Sequence, residues 1–198
     1  MESQTIIHTI ASGKKTLSLE FFPPKSDKAI QQLKESSRDL AKLSPDFVSI
    51  TYGAGGSTRK STFTYAEQLK TDHDYKVMPH LTCVGHSQNE LAEIIQQYQE
   101  AGFKTLMALR GDPQGDSQTF TPHPDGFQYA NQLVAFIKSQ FPNFEIGVGG
   151  YPEKHPESPS QTNDIQNLKK KVDAGADFIT TQLFYNNDHY YRFVDQCR

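Results

Sequence analysis

Residues 45–51, Pro-Asp-Phe-Val-Ser-Ile-Thr, end a predicted helix and open a predicted buried strand. The same kind of junction recurs at residues 101–107 and 174–180. Strand starts return about every 30 to 40 residues, which is the size of one βαβ unit. Such strict alternation predicts a parallel sheet with helices packed outside it.

Six segments are predicted as buried parallel strands, because their residues are almost all apolar or β-branched. They are residues 17–21, 47–51, 77–82, 105–109, 145–148 and 178–183. The clearest helical pattern between them begins at the capping pair Ser87 and Glu90 and ends at Gly102. Other helical patterns run over residues 30–43, 127–141 and 165–175.

Polar residues follow nearly every predicted strand at its carboxyl end. An open doubly wound sheet would concentrate its chemistry at one switch point, typically in a glycine-rich turn after the first strand. No G-x-G-x-x-G motif follows residues 17–21. The pattern therefore favours an α/β fold of the (β/α)8 TIM barrel type, whose active sites lie at the strand carboxyl ends. We expect residues 1–198 to be one catalytic barrel domain, with about the first six strand–helix units and without the last two.

Composition narrows the class of protein. The chain has 198 residues, 35% of them hydrophobic, and a formal net charge of −3. Nucleic acid is not an expected partner, because phosphate binding needs a concentrated basic surface. No stretch approaches the roughly 20 apolar residues that span a bilayer, and residues 1–15 lack the apolar segment of a signal peptide. Cys83 and Cys197 match no metal or disulfide spacing, so we expect a cytoplasmic protein with reduced thiols.

Glu20 is the first candidate for chemistry. It ends an apolar strand and precedes Phe21, Phe22 and a proline pair. We expect the phenylalanines to exclude water, and desolvation favours the neutral form of a carboxylic acid. Glu20 could then hold or deliver a proton near neutral pH. The alternative is a structural ion pair with a lysine such as Lys25.

The other strand ends carry weaker signals. The glycine-rich residues 51–59 allow a close backbone approach to a ligand, or form a plain flexible loop. His80 is as easily a hydrogen-bonded structural residue as a catalytic one. Gln182 presents a carboxamide, which both donates and accepts and so suits a heterocycle such as a pterin or nicotinamide. The remaining candidates are Thr82, Arg110, Gly111, Asp112, Tyr151 and His155.

Taken in order, these segments resemble the bacterial methylenetetrahydrofolate reductase family from about Leu17 to the end of the chain. The most specific stretches are residues 20–24, 47–54, 79–83, 108–112, 151–157, 171–176 and 181–184. The resemblance implies an FAD-containing barrel that reduces 5,10-methylenetetrahydrofolate to 5-methyltetrahydrofolate with NADH or NADPH. It also implies ping-pong hydride transfer through FAD at one shared site, a role in methionine synthesis and a homo-oligomer.

The resemblance also implies roles for particular residues. Glu20 would be the general acid, Asp112 would lie near the flavin and the pterin, and Gln182 would contact the folate and the nicotinamide. Asp164 and Lys171 would take a hydroxyl and a phosphate from about one helix face. The implied flavin contacts are Thr51, Tyr52, Ala54, His80, Arg110, Gly111, Asp112, Tyr129, Ala130, Tyr151, His155, Asp164, Asn167 and Lys171.

Two other functions stay open on the sequence. The chain could be a catalytically silent, flavin-binding fragment of the same barrel. It could also be a metal-dependent barrel lyase that uses His80, Asp112 and His155 as ligands, since imidazole and carboxylate suit a divalent ion.

Overall fold

Six parallel strands form one sheet in chain order. The structure is a computed structural model, and it describes residues 5–53, 59–113 and 119–198. The strands are β1 (Ser18–Phe21), β2 (Phe47–Ile50), β3 (Val77–Thr82), β4 (Thr105–Leu109), β5 (Glu145–Gly150) and β6 (Phe178–Thr181). Each strand pairs in parallel with the next. The predicted bounds of β3 and β4 are confirmed, and β5 extends two residues beyond its predicted end.

Helices alternate with the strands, as the sequence predicted. They are α1 (Ile6–Ala11), α2 (Asp27–Ala41), α3 (Arg59–His73), α4 (Gln88–Glu100), α5 (Ala130–Gln140), α6 (Gln161–Asp173) and α7 (Asn187–Cys197). The predicted capping box of α4 is present, since the Glu90 amide donates to Ser87 Oγ and the Glu90 carboxylate accepts from the Ser87 amide. Each of the two partners therefore satisfies an amide that the helix start leaves unpaired.

Neither α1 nor α3 was predicted. α1 is too short for a periodic pattern. The buried face of α3 consists of Thr62, Ala66 and Leu69. This face is hardly more apolar than the rest of the helix, so the sequence shows no clear helical periodicity there. The burial of this face depends on packing against β2, β3 and α2, which a local pattern does not report.

The core has two layers. The larger one lies between the sheet and the outer helices and includes Val48, Leu81 and Ile146. The smaller one lies on the inner face of the sheet, where Ile6 of α1 packs with Phe47, Met78 and Met107. Alternate residues of a strand point to opposite faces, so each strand serves both layers.

α1 is fixed at the amino ends of the strands by one carboxylate. The Glu145 carboxylate accepts hydrogen bonds from the Ile7 amide at 3.3 Å and from Thr105 Oγ1 at 2.8 Å. Ile6 is only 2% exposed. The inner space is thus closed by α1 at one end, and the strand carboxyl ends lie at the other.

β1 and β6 are the edges of the sheet, each with one neighbour among the described strands. Large apolar side chains are exposed next to β6, with Leu183 at 69%, Tyr185 at 90% and Tyr191 at 60%. In the parts of the chain that the structure describes, no helix is both long and apolar enough to cross a membrane.

Candidate active site

A cavity of about 550 Å³ opens at the carboxyl ends of the strands, and all six strands contribute to its wall. A second cavity of about 600 Å³ adjoins it beside β4, β5 and α6. Leu109, Arg110, Gly149, Tyr151 and His155 line both, so the two form one elongated cleft. Each part lies within the usual volume range of ligand sites.

The described residues that the sequence singled out all line this cleft. The first cavity is lined by Glu20, Thr51, Tyr52, His80, Arg110, Gly111, Asp112, Tyr151, His155 and Gln182. The second is lined by Tyr129, Ala130, Asp164, Asn167 and Lys171, together with Arg110, Tyr151 and His155. Ala54 and most of the glycine-rich loop lie outside the described residues.

Glu20 lies at the mouth of the first cavity with two partners. Ser49 Oγ donates to Glu20 Oε2 at 3.2 Å, and His80 Nε2 lies 3.5 Å from the same oxygen. Among the described residues Lys25 forms no ion pair with Glu20, so that alternative is wrong. The expected desolvation is also wrong, because the Glu20 side chain is 49% exposed. Phe21 points to the opposite face of the strand, and Phe22 is 69% exposed.

His80 is held neutral by its surroundings. Its side chain is only 12% exposed, and burial lowers its pKa from 6.5 to about 4. His80 Nε2 and Thr82 Oγ1 are buried, and neither has a hydrogen-bond partner within the described ranges. Buried polar atoms of this kind are costly unless a ligand or water satisfies them, and both residues line the first cavity.

The turn after β4 lets the backbone approach the cleft closely. Gly111 has φ +91°, and a Cβ there would lie 2.7 Å from Val84 Cγ1. Only glycine fits such a position without strain. Next to it Arg110 pairs with both carboxylate oxygens of Glu157, at 2.6 and 2.7 Å, and lies 4.9 Å from the Phe120 ring centroid. The hydrogen bond from Arg110 lowers the pKa of Glu157.

A cation and an anion lie close together in the second cavity. Lys171 Nζ donates to the Gly149 carbonyl, and Asp164 Oδ2 accepts from the His155 amide at 3.0 Å. Burial lowers the pKa of Lys171, and the nearby Asp164 opposes that shift. The rings of Tyr151 and His155 meet edge to face at 4.6 Å. This part of the cleft therefore offers a buried ammonium and a hydrogen-bonded carboxylate to a ligand.

Sequence reasoning missed Ser49 and Glu157. Ser49 stands alone among apolar residues in β2, and Glu157 follows His155 in a loop that was already noted. A polar residue on the inner face of an apolar strand was the available signal for Ser49. Their partners lie 29 and 47 residues away in sequence, so only the folded chain identifies them.

The described residues of the cleft do not form a cluster of metal ligands. Within the described residues, no group of three or more His, Cys, Asp or Glu side chains could hold a metal ion. His80, Asp112 and His155, the ligands expected for a metal-dependent lyase, therefore do not form such a group. The donor set instead suits an elongated ligand that carries both a polar ring and anionic groups.

Comparison with known proteins agrees with this arrangement. The family model for methylenetetrahydrofolate reductase matches residues 5–198. The 5,10-methylenetetrahydrofolate reductase of Pectobacterium carotovorum is 41% identical over 186 residues, which are 93% of this chain and 60% of that protein. The methylenetetrahydrofolate reductase (NADH) 1 of Arabidopsis thaliana is 38% identical, over 94% of this chain and 33% of that protein. This chain thus spans about three fifths of the bacterial relative and a third of the plant one.

The fold also recurs among solved structures. A protein from Clostridium thermocellum that binds two copies of 5-methyl-5,6,7,8-tetrahydrofolic acid has a TM-score of 0.64 at 17% identity, covering 96% of this chain and 61% of that one. At this identity the match shows the fold alone, six units of a (β/α)8 barrel. The family match and the sequence identities go further, and the chain belongs to the methylenetetrahydrofolate reductase family.

Proposed function

We propose that this chain carries the flavin- and folate-binding part of an enzyme that reduces 5,10-methylenetetrahydrofolate to 5-methyltetrahydrofolate with NADH or NADPH. One observation carries the proposal: the described candidate residues, which come from all six strand ends, the start of α5 and α6, line one cleft. In a cell this reaction would supply methyl groups for methionine synthesis, and we place the protein in the cytoplasm as a homo-oligomer.

The lining residues of the cleft offer donors and acceptors that suit FAD. Arg110 and Lys171 are cations suited to the phosphates, and Asp164 is an acceptor suited to a hydroxyl. Among the described residues, His80 Nε2 and Thr82 Oγ1 have no hydrogen-bond partner, and a heterocycle could satisfy both atoms. When bound, FAD would supply the hydride chemistry, taking a hydride from the nicotinamide and passing it to the one-carbon unit in a ping-pong sequence.

Glu20 would supply the proton for the folate step. As the five-membered ring of the substrate opens, one C–N bond breaks and its electron pair stays on the leaving nitrogen. That nitrogen takes a proton from the Glu20 carboxyl group, which becomes a carboxylate, and an electrophilic iminium remains. Asp112 and Gln182 stand at the mouth of the same cavity, where they would orient the pterin by hydrogen bonds.

The first prediction is that Glu20→Gln separates the two half-reactions. The carboxamide keeps the size of the side chain but has no acidic proton to give, so flavin binding and bleaching by NADH should persist. Reoxidation by methylenetetrahydrofolate should fall by a factor on the order of 10² to 10⁴, the usual size of a general-acid effect. Stopped-flow absorbance of the flavin measures both steps.

Glu67→Gln is the matched control, because Glu67 is exposed on α3 and away from the cleft. Equal losses in both half-reactions of Glu20→Gln would refute the acid role. A yellow protein that NADH does not bleach would favour the silent, flavin-binding alternative. NADH is the donor to try first, since the plant relative is named for it.

A further inference from the structure

We infer that Ser49 is a positioning residue for Glu20: its hydroxyl holds one carboxylate oxygen and leaves the other to carry the proton. This inference rests on the proposed function, because it assigns Ser49 a part in the same proton transfer.

The sheet register brings the two side chains together. Glu20 and Ser49 are Cα partners on the neighbouring strands β1 and β2, so both point to the inner face at the same height. Ser49 is 6% exposed, whereas the Glu20 side chain is 49% exposed. A half-exposed glutamate retains much rotamer freedom. The buried hydroxyl beneath it is a fixed point that can restrict this freedom.

Both contacts of the carboxylate involve Oε2. Ser49 Oγ donates to Oε2 at 3.2 Å, and His80 Nε2 lies 3.5 Å from it without forming a hydrogen bond. Ser49 is therefore the hydrogen-bond donor, and Oε1 has no donor among the described residues. With Oε2 accepting from Ser49, Oε1 is the oxygen that would bear the acidic proton.

The same bond would help the reaction forward. When the O–H bond at Oε1 breaks and the substrate nitrogen takes the proton, the product on the enzyme is a carboxylate. A hydroxyl that donates to a carboxylate stabilises the charged form. Ser49 would thus both orient the acid and stabilise its conjugate base.

A purely structural role does not explain the residue. A buried hydroxyl in an apolar strand costs free energy unless it is hydrogen-bonded, and alanine would fill the position at little cost. Within the described residues, the side-chain bond of Ser49 goes to Glu20. Its chemistry therefore serves the cleft rather than the core.

The test is Ser49→Ala in the flavin-loaded protein, with Ser49→Thr as the conservative variant. Ser49→Ala should slow reoxidation by methylenetetrahydrofolate on the order of tenfold, the size expected for one hydrogen bond to a charged group. Reduction by NADH, which uses no proton from Glu20, should change less than about twofold. Ser49→Thr, which keeps the hydroxyl, should recover most of the lost rate. Ser36→Ala on the exposed face of α2 is the control.

A second measurement does not depend on activity. Urea midpoints of the flavin-free wild type, Ser49→Ala, Glu20→Gln and the double variant form a cycle, and the two changes should be non-additive because the residues touch. Additive midpoints, no rescue by threonine, or equal slowing of both half-reactions would overturn the inference. If NADH fails to bleach the wild type, the proposed function fails instead, and the cycle still tests the contact.

Discussion

His80 illustrates how burial sets the protonation of a single side chain. Its side chain is 12% exposed, its Nε2 has no hydrogen-bond partner within the described ranges, and burial lowers its pKa to about 4. An imidazole that stays neutral at pH 7 can donate or accept in the cleft without placing a positive charge beside Glu20. This neutrality also has a measurable effect on folding.

We predict a specific acid sensitivity from His80. The unfolded chain takes up the proton below about pH 6.5, whereas the folded chain resists it until about pH 4. Protonation therefore favours unfolding, and stability falls as the pH drops through this window and then levels off for this group. At about 1.4 kcal/mol for each pH unit the loss is at most roughly 3 to 4 kcal/mol. Urea unfolding between pH 7.5 and 4 should show a shallower decline for His80→Gln, and parallel curves would refute the prediction.

At the scale of single residues, the sequence identified which side chains line the cleft. It did not predict how buried each of those side chains is. Strand-end position was enough to select Glu20, His80 and Gln182, because parallel strands present their carboxyl ends together. The exposure of Glu20 could not be read from the adjacent Phe21 and Phe22. One of those rings lies behind the sheet and the other faces solvent.

At the scale of elements, neighbouring glycines of β5 differ in what surrounds them. A Cβ on Gly150 would lie 2.7 Å from Phe193 Cζ of α7 and 2.8 Å from Ile179 Cγ2 of β6. A Cβ on Gly149 would meet only Leu109 Cδ2, at 3.7 Å, which is ordinary contact. The absence of a side chain at Gly150 lets α7 pack closely on the sheet.

We predict that Gly150→Ala destabilises the protein by about 1 to 3 kcal/mol, because the added methyl group overpacks this contact. Gly149→Ala is the matched comparison and should change the free energy of unfolding by less than about 0.5 kcal/mol. Chemical denaturation followed by circular dichroism measures both. Equal effects of the two substitutions would contradict the packing argument.

Strands and helices were predictable where the pattern of apolar residues was confined to the element itself and clear. β3 and β4 matched because each is a continuous buried run. α3 was missed because its buried face includes Thr62 and Ala66, and tertiary packing rather than periodicity stabilises it.

At the scale of the whole molecule, several large apolar side chains are exposed in the segment that follows β6. Tyr185 and Tyr191 are 90% and 60% exposed, and β6 has one strand neighbour in the described sheet. Exposed apolar side chains of this size favour association. The barrel alternation was predictable from the repeat at residues 45–51, and the expectation of six strand–helix units already implied two edge strands. The exposure of Tyr185 and Tyr191 was not predictable, because it depends on how the residues after β6 pack.

We predict that this 198-residue chain self-associates through the exposed side chains that follow β6. Sedimentation velocity over about a tenfold range of concentration should show a rising average mass, as expected for an exposed apolar patch. Tyr185→Ser combined with Tyr191→Ser should reduce it. Leu43→Ser, at a 56% exposed residue after α2, is the control and should not. A wild type that stays monomeric throughout would refute the prediction.

The position of the short helix α1 affects how solvent and ligands reach the cleft. Ile6 packs with Phe47, Met78 and Met107, so α1 covers the inner space at the amino ends of the strands. Among the described elements, solvent and ligands would then reach Glu20 from the carboxyl ends of the strands or past the edge strand β1. A ligand bound at the carboxyl ends would reduce the contact of Glu20 with solvent, so under the proposed function Glu20 would regain its proton mainly between the departure of one ligand and the arrival of the next.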